Sequence, residues 1–182
     1  MNSSYSDGVF YASNIKFNPF VAYASKSLHK GVAIDFGCGA GTNLYNLMQE
    51  GWIVYGVDRE PLAIQKAQSK LPRDHIFLSE IDSFDFEKVP KAELILCNYV
   101  FQHLSRHEIE RFVTNISSKV KTGGHFVFSF FEHRTDVTFS QVSNLLEEHR
   151  WKLLKMKEWS RLDTDHGDPH MHYGVESLWY KL

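Results

Sequence analysis

Two short segments of the chain combine residue types and spacing that suit ligand chemistry. The first is Asp35-Phe36-Gly37-Cys38-Gly39-Ala40-Gly41-Thr42-Asn43, a glycine-rich turn at the end of an apolar run. Glycine permits positive φ and lets backbone amides approach a ligand where a Cβ would clash. The second is Tyr55-Gly56-Val57-Asp58, which ends the next apolar run in a carboxylate. An acid about 20 residues beyond a glycine turn is placed to accept hydrogen bonds from ribose hydroxyls. Together the two features indicate an adenosine-type ligand. A pyrophosphate-binding fingerprint asks for G-x-G-x-x-G/A, whereas Thr42 stands at its third position and Gly41 comes one place early. Asp35 adds negative charge before the first glycine, which suits a cationic sulfonium with an amino group better than an anionic dinucleotide. S-adenosylmethionine therefore fits the turn better than NAD.

The histidines are the other chemically active set. With all ten protonated, the formal charge moves from −2 to about +8, so histidine sets the electrostatics near pH 6. His103 follows the fourth apolar run, His133 follows the fifth, and a polar segment near the C-terminus holds Asp163, Asp165, His166, Asp168, His170 and His172. Three readings of that segment stand side by side: a solvated polar hairpin, a substrate-binding or proton-accepting loop, and a metal site of His166, His170 and His172. The spacing matches no zinc signature, and no metal ligand is assigned. His103 and His170 are the candidate catalytic groups, with a capping or packing role as the alternative for His103. His29, His75, His107, His125 and His149 fall away from the expected pocket. An activity that falls as pH drops through ~6.5 is expected from the rim histidines. Cys38 and Cys97 read as packing residues, and Tyr5, Phe10, Tyr11, Phe17 and Phe20 as a lid over the ligand.

The elements that must position these groups alternate in type. Strand-like runs occupy 32–36, 53–57, 75–78, 94–98, 125–131, 153–159 and 172–180. Most are nearly continuous in Val, Ile, Leu and Phe, as strands covered on both faces require. Helical patterns lie at 41–50, 61–70, 107–120 and 137–150, with a further helix near 19–28 over one end of the sheet. Gly51 and the pair Gly123 and Gly124 sit where helices should stop. This alternation predicts an α/β fold, a three-layer doubly wound (Rossmann-like) mostly parallel sheet. The last two runs have only a polar loop between them and should be antiparallel neighbours, which gives the sheet an antiparallel C-terminal strand.

In order along the chain, these segments resemble the motifs of class I S-adenosylmethionine-dependent methyltransferases. Residues 34–43 (IDFGCGAGTN) look like the first motif, 57–59 (VDR) like the ribose-binding second, and 79–86 (SEIDSFDF) like the third. Residues 94–104 (LILCNYVFQHL) resemble the fourth, and 120–124 (VKTGG) the turn before the fifth strand. Within the family, the chain is most similar to small stand-alone enzymes near the tellurite-resistance methyltransferase branch. The resemblance implies that Gly37, Gly39 and the Cys38 backbone cradle the methionine end of the cofactor, with Asp35 beside it. It also implies that Asp58 binds the ribose and Arg59 flanks the adenine. Glu80 would reach the adenine N6, with Asp82 as competitor at a register slipped by two, and Ile81 would lie against the ring. Asn98 would face the cofactor's amino group. Ser79 replaces a frequent glycine of the third motif, and Thr122 a frequent proline of the turn.

Length, charge and missing motifs narrow the rest. A chain of 182 residues fits a single domain spanning 1–182. The charge of −2 argues against nucleic acid as the partner. No run approaches ~18 apolar residues and the first ten lack signal-peptide blocks, so a cytoplasmic protein without a membrane partner is expected, as monomer or homodimer. Cys97-Asn98-Tyr99-Val100 stands where nucleobase amino-methylating members carry Asn/Asp-Pro-Pro-Tyr, and there is neither an appended basic domain nor a paired-glutamate hairpin. The expected reaction is therefore in-line methyl transfer to a small-molecule acceptor. The rivals are a non-catalytic S-adenosylmethionine-binding regulatory module, an NAD-binding oxidoreductase and a histidine-based metal-binding protein.

Overall fold

The apolar runs form strands whose side chains alternate between two covered faces. The computed structural model describes residues 17–131, 137–163 and 169–182. Its strands are β1 (Val32–Phe36), β2 (Ile53–Asp58), β3 (Ile76–Leu78), β4 (Ala92–Asn98), β5 (Val120–Phe130), β6 (Trp151–Asp163) and β7 (His170–Lys181). Its helices are α1 (Pro19–Ser27), α2 (Thr42–Gln49), α3 (Pro61–Gln68), α4 (Arg106–Lys119) and α5 (Phe139–Glu148). Ile34 and Phe36 of β1 and Phe126, Phe128 and Phe130 of β5 pack with Ile109, Phe112 and Ile116 of α4 and Val142 and Leu146 of α5. Ala33 and Val127, one residue out of phase, join Val21 and Ala24 of α1, Leu44 and Leu47 of α2 and Ile64 and Ala67 of α3 in a second core. A period of two with both phases apolar is what a sheet between two helical layers requires.

The strands form one sheet in the order β3-β2-β1-β4-β5-β7-β6. The β3-β2-β1-β4-β5 ladders are parallel, and β7 lies antiparallel to both its neighbours. This is the expected three-layer doubly wound architecture. The chain winds outward from β1 through β2 to β3, then crosses back to lay β4 on the other side of β1. Ligands of such sheets bind beyond the strands' carboxyl ends at this reversal. The C-terminal strand is antiparallel as expected, and it inserts between β5 and β6, so that β6 forms the edge.

Gly123 and Gly124 are not the helix stop that their position suggested. α4 ends at Lys119, and Ala92 pairs with Val120 while Leu94 pairs with His125. The longer stretch of β5 is accommodated as a bulge, which Gly123 enters at φ 85. β6 and β7 also extend past their expected ends, because each satisfies the other's backbone along the whole hairpin.

Helix starts are set by local side chains. Asn18 caps α1 by accepting from the amides of Phe20 and Val21, while Ser105 with Glu108 and Thr138 with Gln141 form reciprocal capping boxes on α4 and α5. α2 differs. Its N-cap is Gly41 in the left-handed region at φ 75, with no side-chain cap. Its first amides are therefore available to an acceptor from outside the helix, the ordinary condition of an anion-binding helix end.

Candidate active site

The turn between β1 and α2 is shaped from below and from the side. The carbonyl of Val57 on β2 accepts from the amides of Gly37 (2.8 Å) and Cys38 (3.0 Å). Asp58 holds the next stretch: its Oδ2 accepts from Gly39 N at 2.8 Å and its Oδ1 from Glu60 N at 2.9 Å. The acid expected to meet a ribose is thus also the clamp of the glycine turn. Gly37 takes φ 80, where a side chain is strained, and a Cβ there would lie 2.2 Å from Val100 Cγ2.

A cavity of about 650 Å³ opens above these turns along the carboxyl ends of the strands. Asp35, Gly37, Cys38, Gly39, Asp58, Arg59, Glu80, Ile81 and Asn98, all expected at the ligand, line it, as does His103. Thr42 and Asn43 bring the uncapped start of α2 to the same space, and Phe17, Asn18 and Pro19 bring the start of α1. Glu80 lines the cavity and approaches Arg59 at 3.8 Å, whereas Asp82 turns to Arg111 at 3.6 Å on α4.

The chemistry concentrates at the reversal between β1 and β4. Asp35 is 2 % exposed, and burial pushes its carboxyl up to about 7; an Asn43 hydrogen bond opposes the rise and the Asp58 charge adds to it. Among the described residues, Asp35 Oδ1 has no hydrogen-bond partner, and neither has Asn98 Nδ2. Asn98 is oriented by Ser129, whose hydroxyl donates to its Oδ1 at 3.0 Å. A buried acceptor and a buried donor left unpaired beside one cavity carry a desolvation cost that a complementary ligand removes. Cys38 and Cys97 are buried, and burial raises both thiols, which leaves them as packing groups.

Several expected residues lie elsewhere. His170 is exposed on β7 and does not line the cavity: the hairpin overhangs β5, whose Phe130 is already level with Val175. His172 is a buried packing residue, its ring 5.0 Å from Phe131 and 4.6 Å from His170. His133 and His166 lie outside the described residues, as do Asp165, Asp168, Tyr5, Phe10 and Tyr11. Phe17 lines the cavity, and Phe20 packs against the core beneath α1. His75 stacks on Tyr55, and His125 is buried against Tyr180.

The cavity also contains residues to which the sequence assigned no role. Tyr99, Gln102, Phe131 and Glu176 line its far end. Glu176 stands in Val175-Glu176-Ser177-Leu178-Trp179, a lone carboxylate in a buried strand, which was the available signal. Tyr99 gave none, because its φ of 57 is a tertiary property.

The family described as "Methyltransferase domain" matches residues 34–128. An uncharacterized methyltransferase of Geobacillus sp. (strain WCH70) is 29% identical over 120 residues, covering 65% of this chain and 54% of that protein. Another, from Bacillus cytotoxicus, is 33% identical over 101 residues, covering 54% and 46%. The chain thus spans about half the length of the curated relatives it matches. Among solved structures, TehB from Haemophilus influenzae superposes with a TM-score of 0.73 at 16% identity over 95% of this chain and 64% of that one. A TehB-like SAM-dependent methyltransferase from Corynebacterium glutamicum gives 0.73 at 18% identity over 95% and 92%. At these identities the likeness is one of fold.

Proposed function

The chain belongs to the methyltransferase-domain family, and from that premise we propose that residues 1–182 act as one domain transferring a methyl group from S-adenosylmethionine to a small-molecule acceptor. The observation that carries this reading is the pair of buried atoms at the reversal that have no partner among the described residues, Asp35 Oδ1 and Asn98 Nδ2. One acceptor and one donor, with the uncapped amides of α2 beside them, suit the ammonium and carboxylate of an α-amino acid. The rest of the cavity suits a nucleoside: Asp58 has further lone pairs for ribose hydroxyls, Glu80 accepts from an amine, and Ile81 and Arg59 flank a ring.

Bound there, S-adenosylmethionine supplies an electrophilic methyl on its sulfonium. The chain's own residues supply alignment and exclusion of water. Asp35 and Asn98 fix one end of the cofactor and Asp58 the other. Phe17 and Val100 give the space between them apolar walls. His103, on the 3-10 turn Phe101–His103 that follows β4, stands at the mouth, where a ring nitrogen can take a proton from an acceptor that must lose one. A cytoplasmic setting suits the two free thiols, which sit in opposite cores of the sheet and cannot pair.

Calorimetry with S-adenosylhomocysteine tests the reading. Binding at micromolar or tighter affinity is expected, with no detectable heat from NAD. Asp58→Ala should weaken it by about 1.5–3 kcal/mol, the usual loss of a charge-assisted hydrogen bond. Equal binding of NAD, or affinity unchanged in Asp58→Ala, contradicts the assignment. An acceptor screen with methyl-labelled cofactor then separates an enzyme from a non-catalytic binding module.

A further inference from the structure

The cavity follows the sheet edge from β3 to β7, five strand steps of about 4.8 Å, or ~24 Å in all. The reading above places the cofactor on the β3-to-β4 part and leaves the β5–β7 end unused. That end has its own construction. Tyr99 is held in the left-handed region at φ 57 by two hydrogen bonds: its amide donates to Ser129 O at 2.6 Å, and its carbonyl accepts from Gln102 Nε2 at 2.9 Å. The ring is thereby turned onto Phe131, stacked at 5.2 Å. Trp159 of β6 stands edge-on to both, at 6.3 Å from Tyr99 and 5.4 Å from Phe131. The indole reaches them because Gly174 has no side chain; a Cβ there would lie 2.5 Å from Trp159 Cζ2.

Beside this aromatic wall stands Glu176 of β7, half-buried, with Oε1 3.4 Å from the Tyr99 hydroxyl that donates to it. Lys157, opposite it on β6, is solvent-exposed. Gln102 adds a second acceptor: its Oε1 is buried without a partner among the described residues, and its orientation is fixed because Nε2 is committed to the Tyr99 carbonyl. The cavity as a whole is acidic, with Asp35, Asp58, Glu60, Glu80 and Glu176 facing Arg59, itself beside Glu80. An anionic acceptor meets a repulsive field here, and a cation an attractive one.

Resting on the methyltransferase reading, we propose that this end is the acceptor subsite and that it takes a cationic nitrogen, an alkylammonium, between Glu176, Gln102 Oε1 and the rings of Tyr99 and Phe131. A carboxylate and aromatic faces together are the chemistry that recognises such a group. Burial and the Glu176 charge push the Tyr99 hydroxyl up to about 12, so it stays protonated and donates to Glu176. The role assigned to Glu176 is anchoring, since a protonated nitrogen has no lone pair and accepts no methyl while it is held.

Ligand-observed NMR on the protein saturated with S-adenosylhomocysteine tests this with three matched probes: benzylammonium, benzyl alcohol and benzoate. Benzylammonium is expected to bind at least tenfold tighter than the other two. Glu176→Gln, which keeps the side chain's size, should abolish the preference, and Phe131→Leu should weaken benzylammonium several-fold. Calorimetry of S-adenosylhomocysteine on each variant reports whether the fold and the cofactor end are intact. Saturable cofactor-analogue binding with no charge preference, or a preference unchanged in Glu176→Gln, overturns this proposal alone. Absence of S-adenosylhomocysteine binding to the unmodified protein overturns the functional reading and this proposal with it.

Discussion

Asp35 concentrates the tension between folding and binding in one side chain. Its carboxyl lies 2 % exposed, with one oxygen unpartnered among the described residues, and burial lifts it from 3.8 to about 7. Above pH 7 the carboxylate is ionised in folded and unfolded chains alike, and the fold carries the whole cost of burying the charge. As pH falls from 7 toward 4 the folded protein takes up the proton first, so this group's contribution to the stability of the unliganded fold rises. Asp35→Asn should therefore raise the melting temperature of the unliganded protein at pH 8, by a stabilisation of at most roughly 4 kcal/mol. The same variant should weaken S-adenosylhomocysteine by about 1.5–3 kcal/mol, since a charged partner for the ammonium is lost. In the parent protein, affinity should decline as pH drops through 7, and calorimetry from pH 5.5 to 8 should show that slope flattened in Asp35→Asn. The histidine expectation narrows accordingly. Among the described residues His103 is the histidine that lines the cavity, while His170 stands outside it.

At the scale of elements, the β6–β7 hairpin shows how a secondary-structure unit builds part of a site. Gly174 faces Trp159 in the ladder, and its missing Cβ lets the indole cross β7 toward Tyr99 and Phe131. Gly174→Ala forces one side to move, and such overpacking typically costs about 1–3 kcal/mol. Urea unfolding should register a loss in that range; an unchanged midpoint would mean that the indole has room to shift. The glycine turn after β1 was legible from sequence because its conformation is demanded locally, by positive φ at Gly37, Gly39 and Gly41. Gly123 and Gly124 were misread for the complementary reason. A helix stop and a β-bulge ask the same thing of glycine, and only pairing with β4 distinguishes them.

Across the whole molecule, the last strand in sequence is an interior strand of the sheet. β7 carries Val175, Leu178 and Trp179, all essentially inaccessible, between β5 and β6. A chain ending after Asp163 would lose an interior strand and leave β6 without a neighbour, so it should show no cooperative thermal transition; a cooperative melt would mean that β6 can pair with β5 directly. The sequence by itself determined the layers, the order of strands and helices, and the glycine turn with an acid at the end of the next strand. Each of these depends on local conformation or on the two-residue alternation of apolar side chains, and both are written in consecutive residues. The tertiary structure alone decided that β7 lies inside the sheet, that Asp58 clamps the turn, and that Tyr99, Phe131 and Glu176 meet. Those residues come from three separate parts of the chain, and what joins them is the parallel register of β4 with β5 and the antiparallel register of β5 with β7, both set by hydrogen bonds between segments distant in sequence.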